Sequence, residues 1–424
     1  EYNPYFTRKR FADRVDARLG IGKDFVNRFD QDLIATSKKL KIKDDDLLQE
    51  AEDFLISRHA PERNAKLGDG AAGITTAEAA ATLARIEASP HSKEIKKTAE
   101  ALFEFGQKTL DILLEGKVIS QKFYNTLKST YKNHVPLQRL FSETEDVEQF
   151  LTGRGFDVRG TGIKKAVGSE REVADLTTNI MANYNQAVIR AEKNIVDNAT
   201  LRYVRDNKEA LENVAEIIKP KAIGKTFDDQ IILEKITDPH VLALREEGEQ
   251  VYIKFKDSHL AATFRGVNRE RLDGLMRYVG ALTRFYAGLM TRYNPEFFIP
   301  NKIRDLQDAS IYLASEGQFG FTGVAQTLKR QAKFEGESAI RDYLRGKDTE
   351  GARLYKQMKM DGSTTGGMGL STRKQIEIDV ESIRKINRST PRKAAESVLE
   401  GIDNLNAVFE DSTRYIVYKE ALAK

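Results

Sequence analysis

Apolar residues recur at intervals of three and four along most of this chain, the spacing of one face of an α-helix. The cleanest run, Val173, Leu176, Ile180, Tyr184, Val188, Ala191 and Ile195, predicts a helix from Arg171 to about Asn207. At the α-helical rise it is roughly 50 Å long. Asn179/Asn183 and Asn194/Asn198 are four apart, so each pair shares a face and is placed to bond a neighbouring element or to face solvent. Thr75 and Glu78 form a capping box that predicts a helix over 77–88.

The period changes between 213 and 268. Val251, Ile253 and Phe255 alternate with Tyr252, Lys254 and Lys256, and Asp257-Ser258 reads as a turn into a second strand over 259–264. Ile231-Ile232-Leu233 is a third strand candidate. The expected fold class is therefore mainly α, an elongated multi-helix assembly with a small β-hairpin insert near 229–266. Its segments are N-terminal helices over 1–66, a helical unit over 75–150, the long helix over 171–212 and the β-containing insert over 213–268. A helical unit with a basic stretch over 269–360 and C-terminal helices over 374–424 follow. Glycine-rich stretches at 68–73, 153–162 and 362–369 read as flexible joints, with an anion site beside Lys164 and Lys165 as the alternative for the second.

Composition sharpens this picture. Of 424 residues, 40% are hydrophobic and 31% charged, as expected of helices that each bury one stripe. Cysteine is absent, which excludes disulfides, thiolate metal sites and a cysteine nucleophile. Lys and Arg number 68 against 64 Asp and Glu, so the chain as a whole lacks the excess of a protein that tracks a phosphate backbone. The excess that exists is concentrated in 321–360. Leu275 to Tyr293 is the most apolar stretch, but Arg277, Arg284 and Arg292 interrupt it, favouring a core helix over a membrane span. The chain begins with Glu1 and ends at Lys424 in mid-pattern, as a piece of a longer polypeptide would.

Motifs for chemistry fail on inspection. Ile223-Gly224-Lys225-Thr226 ends like a phosphate loop, but Lys219 stands where its first glycine belongs. Gly20-Ile21-Gly22-Lys23 is followed by Asp24, not by a Ser or Thr. His59, His91, His134, His240 and His259 are scattered, and no Gly-x-Ser-x-Gly elbow is present. No catalytic residue, metal ligand or cofactor site is assigned, and the segment is expected to be non-enzymatic.

Several unusual strings remain. They are Ser57 to Asn64, with His59, Pro61, Glu62, Arg63 and Asn64; Gly73 to Ala79; and Tyr131 to Arg139, with Pro136 and Arg139. Tyr252 to Asp257 follows. The most distinctive runs from Thr291 to Asp305 and contains Asn294, Pro295, Glu296, Asn301, Arg304 and Asp305. There Pro295 ends the apolar helix, and Asn294 is placed to cap the next. A helix corner is the simplest reading; a gate or docking point is the alternative.

In order, from about residue 50 onward, these strings resemble the C-terminal helical region of large polyvalent proteins of phages and mobile elements. That group includes injected internal virion proteins of podovirus type and defence-against-restriction proteins. The resemblance implies a structural segment of a protein packaged in the virion and ejected with the DNA, with enzymatic modules elsewhere in the polypeptide. It implies copies of itself or other ejection proteins as partners, with transient envelope contact. The implied location is the virion interior, then the host envelope or cytoplasm. The alternative is a nucleic-acid-associated module of an antirestriction polyprotein, contacting DNA through Lys164, Lys165, Lys329, Arg330 and Lys333. Locally coded helices without disulfides suit a chain that must unfold, pass a portal and refold.

Overall fold

The computed structural model describes residues 4–130, 132–133, 158, 176–225, 231–234, 236, 238–265, 329–330, 333–364, 373–389, 404, 408 and 411–423. It is mainly α with a small antiparallel sheet. Twelve helices are delimited among these residues: α1 (Pro4–Lys9), α2 (Phe11–Leu40), α3 (Asp44–Leu67), α4 (Thr76–Glu87), α5 (Ser92–Glu115) and α6 (Gln121–Thr130). Then come α7 (Leu176–Asp206), α8 (Lys208–Leu211), α9 (Ser258–Arg265), α10 (Glu335–Leu344), α11 (Glu350–Met360) and α12 (Arg373–Asn387). Residues 411–422 are helical as well. The strands are β1 (Ala215–Ile218), β2 (Ala222–Lys225), β3 (Ile231–Leu233), β4 (Val241–Glu246) and β5 (Glu249–Phe255). Contacts divide the chain into two units. One comprises Glu1–Phe11, Leu19–Asn268 and Gly369–Asn387; the other comprises Ala12–Arg18, Arg269–Met368 and Arg388–Lys424.

In the first unit α7 is the central rod, about 45 Å long at the α-helical rise. Leu176, Ile180, Tyr184, Val188 and Ala191 are all buried, as their spacing predicts. So are Asn179, Glu192, Asn194 and Asp197, so α7 is enclosed on more than its apolar face. Phe105 of α5 stacks on Phe25 of α2, with centroids 3.9 Å apart and planes 6° from parallel. Its centroid also lies 4.8 Å from that of Tyr184 of α7. These three rings join three helices in one core.

Small residues set how closely the rods approach. A Cβ on Gly116, just past α5, would lie 2.5 Å from the Cβ of Ala191. A Cβ on Gly22 of α2 would meet Met181 Cε at 2.8 Å. At the start of α7 the buried Glu52 carboxylate accepts from the Thr177 amide (3.2 Å) and hydroxyl (2.9 Å). Its negative charge lies where the helix dipole favours an anion.

The sheet has strand order β1-β5-β4, with a separate β2–β3 pair. The predicted strand over Val251–Phe255 is β5, but its hairpin partner lies upstream. β4 and β5 are joined by Glu247-Gly248, with Glu246 opposite Glu249. Both loop residues have positive φ, 49° and 88°, the two-residue turn whose twist matches the strands. The expected second strand over 259–264 is instead α9. Asp257 starts it, because its side chain accepts the His259 amide (2.8 Å) and its carbonyl accepts the Ala261 amide (3.0 Å). Asp257-Ser258 is thus a helix cap.

The outer edge of β4 is closed by side-chain amides. Asn194 Nδ2 donates to the Arg245 carbonyl (2.7 Å) while Asn194 Oδ1 accepts the Arg245 amide (2.8 Å). Asn194 thereby imitates one residue of a neighbouring strand. It also donates to the Gly116 carbonyl (2.7 Å), and Asn198 donates to the Arg245 carbonyl (2.9 Å). Two residues back along β4, the Val158 amide donates to the Ala243 carbonyl (2.7 Å). The Arg245 guanidinium bonds the carbonyls of Val118 and Gly248, and the Gly248 amide donates to Lys117 O at 3.1 Å. Burial, together with the nearby Arg245, pulls the Arg190 guanidinium down to about 10.

In the second unit α10, α11 and the helix over 411–422 pack Ala339, Ile340, Tyr355, Met358, Tyr415 and Ile416 together with Val408. A Cβ on Gly336 would lie 2.4 Å from Ser412 O, so those backbones nearly touch. The Tyr355 hydroxyl donates to the buried Asp411 carboxylate at 2.6 Å. Burial, then that carboxylate, pushes the Tyr355 hydroxyl well above its usual range.

Gly116→Ala is expected to destabilise the protein by about 2–3 kcal/mol, because neither backbone can retreat from the added methyl. Gly20→Ala, with nothing within 4 Å of the new Cβ, should instead stabilise by about 0.5–1 kcal/mol. Denaturant titration of both variants checks this, and equal shifts would contradict the close-approach account. Asn194→Ala strands the Arg245 amide and Gly116 O, while Asn198 keeps the Arg245 carbonyl, and should cost about 2–3 kcal/mol.

Candidate functional site

Of the strings singled out in the sequence, Ser57 to Asn64 is fully described, and it forms one polar junction near the end of α3. Asn64 is buried. Its Nδ2 lies within bonding distance of Ile74 O (3.0 Å), Asp69 Oδ1 (3.1 Å) and Thr76 Oγ1 (3.2 Å). Its Oδ1 accepts the Ala72 amide at 2.9 Å. Arg63 Nε donates to Ala71 O at 3.0 Å, and burial lowers its guanidinium from the ordinary value. Glu62 takes the side chain of Asn133 at 2.9 Å. His59 is buried, and Pro61 lies inside the helix, nearly two turns before its end at Leu67.

The glycine-rich stretch at 68–73 is therefore tied to α3. Gly68, Gly70 and Gly73 take positive φ (101°, 83° and 93°) so that the chain can fold back over Asn64. Ala72 packs against Ala60 and Ala79 beneath it. The exit from the loop is the predicted capping box: Glu78 N donates to Thr75 Oγ1 (3.2 Å), and Glu78 Oε2 accepts the Thr75 amide (2.8 Å). Asp69 adds a further bond from the Thr76 amide at 2.8 Å. Bonds from the Thr76 amide and hydroxyl hold the Asp69 carboxyl below its ordinary value. Those from Thr75 do the same for Glu78.

Of the predicted nucleic-acid contacts, Lys329, Arg330 and Lys333 are described. Arg330 is engaged internally, 3.1 Å from Glu420 Oε1 and 3.8 Å from Glu335 Oε2. Lys329 and Lys333 are exposed. Lys164, Lys165, Pro136, Arg139, Asn294, Pro295, Glu296, Asn301, Arg304 and Asp305 lie outside the described residues, as does the apolar stretch 275–293. Lys225, in the failed phosphate loop, is on β2, and Gly20 to Lys23 lie inside α2.

Two junctions carry residues the sequence did not flag. One is the Gly116–Asn194–Arg245 cluster, where only the asparagine was marked. The other is Asn387 of α12, whose Nδ2 donates to Asn27 Oδ1 and the buried Asp30 Oδ2 of α2, both at 3.0 Å. Among the described residues no group of three His, Cys, Asp or Glu is arranged to hold a metal ion. Nor is any described helix long and apolar enough to cross a membrane. What the arrangement does chemically is satisfy buried backbone with side-chain amides and carboxylates.

Asn64→Ala is expected to destabilise by about 2–3 kcal/mol, since the Ala72 amide and Ile74 carbonyl lose their partner. The Asp69 and Glu78 carboxyls titrate below their unfolded values of 3.8 and 4.5. Their stabilisation is therefore complete above those values and is lost as pH falls through the depressed folded ones. Hydrogen exchange of the Thr75 and Thr76 amides should accelerate in that acid window beyond the intrinsic rate. Asp69→Asn should remove the Thr76 part of this effect.

Comparison with protein-family models, with curated proteins and with solved structures found no match to this chain.

Proposed function

We propose that this chain is a structural segment of a large phage protein that is packaged in the virion and delivered to the host with the DNA. The observation that carries this reading is the use made of its buried polar groups. Asn64, Asn194 and Asn387 each fasten separate stretches of chain, through bonds to Ala72 and Ile74, to Gly116 and Arg245, and to Asn27 and Asp30. Side chains spent in this way build rods and joints. The string that carries part of the resemblance, Ser57 to Asn64, is one of these joints.

Delivery by ejection asks for a chain that survives unfolding. Three of the described helices have ends set by local sequence: Thr75 and Thr349 cap α4 and α11, and Lys41 closes α2 in the left-handed conformation. With no cysteine there is no disulfide to break or mispair on the way. Partners in this role are copies of the same chain or other ejected proteins.

Mass spectrometry of gradient-purified particles from the phage that encodes the chain tests the proposal. Peptides from this segment are expected in the particle at a fixed ratio to the portal protein. Detection in infected cells together with absence from particles overturns it.

A further inference from the structure

The most solvent-exposed large hydrophobic side chain among the described residues is Phe334, at 63%. It stands immediately before α10 with φ 54° and ψ 35°, in the left-handed region. A bulky side chain rarely adopts that conformation, and such strain collects where a residue is held for a purpose. Nothing in helix capping calls for Phe there. Its side chain makes no cap bond, and only its carbonyl serves the helix, by accepting the Ser338 amide at 3.0 Å. A glycine or asparagine would fill that backbone role without strain. The ring itself is what the position adds.

The charges around it share one sign where they are free to act. The Lys333 amide donates to Lys329 O at 3.3 Å, which places these two exposed lysines one helical turn apart, directly before Phe334. Neither ammonium enters an ion pair among the described residues. The carboxylate next in sequence, Glu335, is taken by Lys419 (2.5 Å) and lies 3.8 Å from Arg330. Arg330 in turn holds Glu420. Glu335 and Glu420 are thus matched by other cations, and the two lysines remain to face an anionic partner.

We propose that Phe334, Lys329 and Lys333 form a contact for single-stranded nucleic acid, with a base stacked on the ring and adjacent phosphates on the two ammoniums. An exposed aromatic flanked by lysines is what sequence-tolerant binding of a single strand requires, because every base offers a π-face. A duplex keeps its bases stacked away from such a ring. An anionic membrane surface would call for several apolar side chains along one helix face, whereas α10 buries Ala339 and Ile340 in the core and exposes only Leu344 among its large apolar side chains. The proposal is independent of packaging in a particle, and it moves the contact from Arg330, which is internally paired, to the residues on either side of it.

Fluorescence anisotropy with labelled oligo(dT) tests it on the whole chain. Phe334→Asn removes the ring while relieving the backbone, so it should melt no lower than the parent yet bind roughly ten-fold more weakly. Phe334→Trp should retain binding. Lys329→Gln with Lys333→Gln should flatten the slope of log affinity against log salt by roughly 1.4, two phosphate contacts at about 0.7 each. The proposal is overturned if the parent does not bind oligo(dT), if Phe334→Asn binds as well as the parent, or if duplex DNA binds as tightly as the single strand. Binding to phosphatidylserine vesicles with none to oligo(dT) would assign the surface to membranes and overturn it equally.

Discussion

The exposed backbone of an edge strand must be answered by something. Buried inside a protein, its N–H and C=O groups cannot turn to water. Here β4 has β5 on one side, and on the other it meets the side of α7, which has no free backbone to offer. Asn194 supplies an amide in place of a peptide group and closes two bonds with Arg245. That substitution constrains what surrounds it. The helix must come close, so Ala191 and Gly116 are small, and the turn beyond Arg245 must fold under Ser120, which requires Gly248 to lack a side chain. Gly116 at the end of α5, Ala191 and Asn194 on α7, and Gly248 in the hairpin turn are consequences of one unsatisfied edge.

Much of this was legible in the sequence because it is periodic or local. The repeat of three and four located α7, and the Thr75/Glu78 box located the start of α4, since both depend on residues within a few positions of each other. The strand over Val251–Phe255 was legible for the same reason. Its partner was not, because Asp257-Ser258 suits a helix cap as well as a turn, and the choice between them is made by tertiary packing. The true partner was signalled by the apolar run Val241–Leu244 before Glu247-Gly248, a turn that asks a glutamate to take positive φ. Asn194 was marked by its spacing from Asn198, but its bonds to Gly116 and Arg245 span 78 and 51 positions, beyond the reach of any local pattern.

The stretch at 68–73 shows how a composition rule misleads. Six small or polar residues in a row suggest freedom. Yet Asn64 and Asp69 bind them back to α3 and α4, and the glycines serve geometry, letting the chain reverse within hydrogen-bonding distance of one side chain. The Arg58 guanidinium lies nearby over the Phe103 ring, 4.5 Å from its centroid, and pairs with Glu100 at 3.0 Å. Among the described residues, the string from Ser57 to Asn64 is thus accounted for by internal fit. The Lys329–Phe334 corner differs, because its aromatic ring is turned outward at a cost to the backbone.

The order in which a ribosome makes these parts matters as well. Val118 O, just beyond the end of α5, receives its guanidinium from Arg245, 127 positions later in the chain. Until that residue emerges, Val118 O lacks its guanidinium, and Asn194 of α7 has Gly116 O but not the Arg245 peptide to bond. The bundle around α2, α3 and α5 therefore reaches its final fit only when the hairpin has been translated. A chain threaded through a pore with its amino terminus leading would meet the same delay on the far side.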